Sequence, residues 1–150
     1  MNSIVREVLI KNGWFNSRLI NPTEIELLYT RNSYPILDCV IEFLKNFYTL
    51  KIVFSNKKTG NLDDINFDVK RAMDMESIER VIIDYEPRIK KKLCIIGSAY
   101  REHFILLMDE DGSVYGGFDT YFVKIAPSGY LAIEAIILDK EFEEIKSFSA

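Results

Sequence analysis

Histidine is almost missing from this chain: His103 is the only one in 150 residues. Catalytic triads and most zinc sites need a histidine beside a nucleophile or further ligands, so a single copy removes most of that chemistry. Cysteine is nearly as scarce. Cys39 and Cys94 both stand inside apolar segments rather than loops, where cysteine acts as a small buried hydrophobe and not as part of a disulfide framework. No apolar run approaches the ~20 residues a membrane helix needs. The opening MNSIVREVLIKNGW carries Arg6, Glu7 and Lys11 inside its apolar patch, so it lacks the uninterrupted centre of a secretion signal. The expectation is a chain that stays in a reducing cytoplasm. Gly97-Ser98 and Gly116-Gly117 lack the spacings that cradle phosphate, and no nucleotide cofactor is expected.

Hydrophobic residues make up 48% and charged residues 28% of the chain. That is ordinary for a globular protein, and a chain this long buries about two thirds of its unfolded surface. Residues 1–150 are expected to form one domain. Net charge is −4, but its distribution is uneven: residues 102–150 hold 10 acidic and 3 basic side chains. This argues against general nucleic-acid binding, which rests on Lys and Arg neutralising phosphates, and suits a basic protein partner.

The hydrophobic period predicts helices over residues 3–12, from Asn21-Pro22-Thr23-Glu24 to about 32, and over 35–47. It then changes from 3.6 to 2 through Leu50, Ile52 and Phe54, and Ile65 and Phe67 mark a short returning strand. Residues 68–88 suit one or two helices that Pro87 brings towards an end. Strands are expected at 93–96, 103–108, 114–118 and 121–125, with turns too short for crossover helices, so sequential antiparallel pairing follows. A helix over 128–138 closes the pattern, and the acidic tail 140–146 is read as able to extend it. The fold class is therefore α+β, a mostly antiparallel sheet of about six strands covered by helices chiefly on one face.

The polar turn Asp109-Glu110-Asp111-Gly112 invites a calcium reading. With Gly112 at the sixth loop position, the first and twelfth would be Leu107 and Phe118, so the key carboxylates are missing and no metal is expected. The plain reading is a hairpin turn with exposed carboxylates; the functional one is a negative patch for Lys and Arg of a partner. His103 beside Arg101 and Glu102 has no nucleophile placed by a recognised motif, so catalysis is not expected. Tyr115, Phe118, Tyr121 and Phe122 offer aromatic side chains for core or interface. The run Arg88, Lys90, Lys91 and Lys92 reads as a solvated patch.

The words GWFNSR at 13–18, EFLKNFYTLKI after Tyr34, FDVKRAM at 67–73, the 93–97 strand ending in IIG, LLMDEDGSVYG at 106–116 and IEAI at 133–136 resemble, in order, the third subfamily of immunity proteins in the SUKH superfamily of bacterial polymorphic toxin systems. The resemblance spans about residues 10 to 138. The chain departs from it at Phe47-Tyr48, where a glycine pair is common, and at Asp68, where a proline is. The resemblance implies an α+β domain without enzymatic activity or cofactor that binds a cognate toxin domain, often a nuclease. The residues then expected at the toxin are Asp109, Glu110, Asp111, Tyr115, Asp119 and Tyr121, while Gly13, Trp14 and Arg18 are read as structural. A monomer or weak homodimer is expected. The alternative is a cytoplasmic scaffold or regulator of the same superfamily.

Overall fold

Asn2 starts the first helix by accepting, through its side chain, the free N–H groups of Ile4 and Val5. The computed structural model describes residues 1–147; the last three positions of the expected domain lie outside the described residues. Helix α1 (Ser3–Lys11) buries Val5 and Leu9, leaves Ile4 exposed, and ends at Gly13, whose φ of 101° only glycine adopts cheaply. Helix α2 (Pro22–Arg31) opens with Asn21 as cap and Pro22 in the first turn, as the sequence predicts, and buries Ile25 and Tyr29. Helix α3 (Asp38–Phe47) starts three residues later than its apolar period suggests: Leu37 is extended and stands as its N-cap. It buries Val40, Ile41, Phe43, Leu44 and Phe47.

The passage from α3 to the first strand turns at Thr49, with φ of 69°. A β-branched residue is a poor occupant of that conformation and must be held there. Arg18 supplies the hold, donating to the carbonyls of Asn46 and Tyr48 at 2.8 Å each, while the Thr49 N–H donates to the Phe67 carbonyl. Trp14 lies beside this turn, buried, with its ring stacked on Phe47.

Among the described residues seven strands follow in chain order, all antiparallel and each paired with its sequence neighbour: β1 (Lys51–Ser55), β2 (Leu62–Asn66), β3 (Leu93–Ala99), β4 (Phe104–Asp109), β5 (Val114–Phe118), β6 (Tyr121–Ala126) and β7 (Glu143–Glu144). The seventh corrects the expected helical extension. Asp139, at φ of 57°, ends helix α7 (Gly129–Ile137), and the acidic tail returns to pair with β6. At the opposite edge the Asn12 carboxamide donates to the carbonyl of Val53 and accepts its N–H, both at 3.0 Å. One side chain thus occupies the place another strand would take.

Strand side chains alternate between the two faces of the sheet. Ile96, Leu106 and Val114 meet Phe43 of α3 and Ile133 and Ile136 of α7. Tyr115, Gly117 and Phe122 face the other way, towards a segment made of α4 (Val69–Met75), α5 (Ile78–Arg80), a π-helical turn (Val81–Tyr85) and α6 (Glu86–Ile89). Covered on both sides, β3 is buried along its whole length. Pro87 does not stop this segment. The π turn, in which the Glu86 N–H donates to the Val81 carbonyl, carries the chain past it, and the helix ends at Lys90 in a left-handed conformation.

A Cβ at Gly97 would stand 2.4 Å from the Asn66 carbonyl oxygen, a backbone atom that cannot step aside. Gly97→Ala should therefore cost about 1–3 kcal/mol in urea unfolding, and Arg18→Ala, which strips the caps from the Thr49 turn, a similar amount. Burial pushes the phenols of Tyr29, Tyr34, Tyr85, Tyr100 and Tyr115 above the ordinary value of 10.0. The fold thus favours the neutral form, so this contribution is fully present below pH 10 and falls as pH rises beyond it. Most of the phenolate absorbance should appear together with loss of near-UV circular dichroism in one alkaline transition; ionisation of these five phenols in a protein that keeps its near-UV signal would contradict it.

Candidate functional site

The β4–β5 turn is organised by a carboxylate that the sequence places on the surface and the structure buries. Asp109 is 0% exposed. Its Oδ1 accepts from the N–H groups of Asp111 (2.8 Å) and Ser113 (3.1 Å), and its Oδ2 accepts from the Tyr115 hydroxyl (2.7 Å). A buried charge of this kind is tolerable because several donors replace its water. Burial and the adjacent Asp109 both push the Tyr115 phenol up. Tyr115 is itself only 4% exposed, with its ring against Phe122. Neither side chain of this pair is available for direct contact with a partner.

Glu110 and Asp111 are exposed, but they already have partners. Glu110 accepts from the Lys92 N–H at 3.0 Å, and Asp111 pairs with the Lys91 ammonium. Part of the basic run is therefore spent on the acidic turn. Arg88, read from sequence as solvated, is a further correction: its side chain is 4% exposed. It donates to Asp84 and to the carbonyls of Thr120 and Ile145, and stands over the rings of Tyr85 and Phe122. A guanidinium with its donors satisfied can be buried where an unpaired cation could not. Its i,i+4 spacing from Asp84 was the sequence signal.

At the far end of β5 the turn Phe118–Tyr121 presents the other two expected residues. Asp119 and Tyr121 are exposed there, and Phe118, cross-strand from Tyr121, is 54% exposed. Tyr121 lies near-parallel to Phe104 at 6.1 Å, and Tyr100 meets Phe104 edge-on at 5.6 Å. This makes an aromatic cluster open to solvent. Its backbone is fixed from behind: the Tyr85 hydroxyl donates to the Asp119 carbonyl at 2.6 Å and Arg88 to that of Thr120 at 2.8 Å. Phe118 is the residue whose interface exposure the sequence left open, since alternation alone does not say which face is covered.

The six expected contact residues therefore fall into two groups towards opposite ends of β5, a five-residue strand that spans about 14 Å. The first is Asp109, Glu110, Asp111 and Tyr115, and the second Asp119 and Tyr121. His103 is exposed in the β3–β4 turn, where Glu102 accepts two hydrogen bonds from Arg71. Among the described residues, no three His, Cys, Asp or Glu side chains gather as metal ligands. No described helix is long and apolar enough to cross a membrane.

No curated protein and no solved structure matches the chain. One family model does, and its span takes in every element from α1 to the end of α7. By that match over residues 1–139, the chain belongs to the SUKH-3 immunity protein family.

Proposed function

We propose that the protein neutralises a cognate bacterial toxin domain, a nuclease, by stoichiometric binding in the cytoplasm of the producing cell, with the β5–β6 end as the centre of contact. The observation that carries this placement is the exposed cluster of Phe118 and Tyr121 beside Asp119, on a turn held rigid by Tyr85 and Arg88. Exposed aromatics on a preorganised backbone lose little entropy on binding and dominate interface energetics. The surrounding acid complements the cationic surface that a nuclease needs for its own substrate. Glu143 and Glu144 on β7 add exposed carboxylates beside β6. Glu110 and Asp111 contribute at the periphery, where Lys91 and the Lys92 N–H already offset them. Asp109 and Tyr115 act on the contact only through the shape of their turn.

Co-expression with the toxin domain encoded beside it should restore growth, and calorimetry on the purified pair should give one-to-one binding; arrest without binding would remove this function. Within a binding pair, Tyr121→Ala should lower affinity by about 2 kcal/mol, and Asp119→Lys should slow association and flatten its salt dependence. Tyr115→Phe should cost about 1–2 kcal/mol of stability by leaving Asp109 short of a donor, with affinity unchanged. An affinity loss confined to Glu110→Lys and Asp111→Lys would move the contact to the other end of β5.

A further inference from the structure

Away from both hairpin ends, a groove of about 490 Å³ opens between the α2–α3 connection and the α5–π–α6 segment. Tyr34 and Pro35 line one side and Ile78, Ile82 and Glu86 the other, with Lys92 also at its edge. It exists because β2 pairs only with Ser98 and Ala99 of β3, leaving the outer edge of residues 93–97 without a strand beside it. Side chains serve that edge instead: the Tyr29 hydroxyl donates to the Ile95 carbonyl, and Glu86 accepts from the Leu93 N–H.

Tyr34 is 7% exposed, yet its hydroxyl has no hydrogen-bond partner among the described residues. Such a group normally finds one. After burial itself and the Cys94 thiol, the groups that push this phenol up are Glu76, Glu86 and Glu79, all on the facing segment. Glu86, the carboxylate among the residues that line the groove with Tyr34, puts negative charge on the wall across from it. Glu76 is shared with Arg80 and Glu86 with the Leu93 N–H, but Glu79 is exposed and has no ion pair among the described residues. Beside them Ile82 and Ile83 are 51% and 74% exposed on the π turn, a helical form often found at functional sites.

We infer that this groove is a socket for an Arg or Lys side chain that a partner protein presents next to an apolar residue. The aliphatic stem would lie along Ile78, Ile82 and the Tyr34 ring, and the cationic head would donate to the Tyr34 hydroxyl and to Glu79 and Glu86. An acidic occupant would meet those carboxylates and find only Lys92 in favour. The inference rests on the protein-binding reading above and names what the partner brings.

The full chain is titrated by NMR with N-acetyl-arginyl-leucinamide and, in parallel, N-acetyl-glutamyl-leucinamide. The basic dipeptide should shift the Tyr34 ring and the Ile78 and Ile82 methyl signals saturably, and the acidic one should not. Tyr34→Phe, which removes only an unpaired hydroxyl, and the surface change Glu79→Gln should each weaken binding by about tenfold. Equal response to both dipeptides, or no response at Tyr34, would overturn the socket. Binding of the basic dipeptide without binding of any toxin domain would leave the socket standing and remove the toxin as its partner; tight toxin binding with a silent groove would do the reverse.

Discussion

Tyr85 lying flat on the sheet is the contact on which the rest of the structure depends. Its ring stacks on Phe122 at 4.5 Å, interplanar angle 7°, and occupies the space where Gly117 has no side chain. A Cβ there would stand 2.7–2.8 Å from the ring, so the missing side chain is what admits the helical segment to this face. The π turn places Tyr85 at that height and lets the chain continue through Pro87 to Arg88, which ties β5–β6 and β7 to the same segment. Without this contact the sheet would have one covered face and an exposed row of Leu, Ile and Tyr side chains. The candidate turn would lose both donors that hold its backbone.

The same region shows how two charged groups became internal supports. Asp109 and Arg88 are the kinds of residue that composition assigns to the surface. Each is buried because it has local donors or acceptors in number: backbone N–H groups and a phenol for the carboxylate, a carboxylate and carbonyls for the guanidinium. Both set the shape of a hairpin turn that the protein-binding reading uses. The residues that give a surface its chemistry and those that give it its form are neighbours in space: Asp109 lies in the turn it shapes, whereas Arg88 reaches its turn from 32 positions away.

Much of the architecture was legible from short-range patterns. Helices α1 to α3 and α7 follow a 3.6 period with caps at Asn2, Asn21 and Ser128, and the strands follow a period of 2. Antiparallel pairing within residues 50–67 and within 93–125 followed from turn length; the β2–β3 and β6–β7 pairings, made across helical segments, did not. What escaped were features in which a distant partner decides. β7 is two residues long and follows a left-handed Asp139 that ends α7; the π turn has no periodic signature; and α3 starts late, at an extended Leu37, although the apolar period continues through it. Of the candidate site, the sequence named acidic and aromatic residues but did not show that β5 separates them into two groups.

By itself the sequence determined most element types from α1 to α7, the antiparallel pairing of the strands joined by short turns and the family, because these rest on local period, turn length and ordered words of residues. Only the tertiary structure decided which charges are interior, which face of β5 is open, and that the edge of β3 is left to Tyr29 and Glu86. Those outcomes depend on what stands across the sheet from each side chain. Burial is a property of that pairing, and residues such as Tyr85 and Gly117, 32 positions apart, acquire their roles only when the fold brings them together.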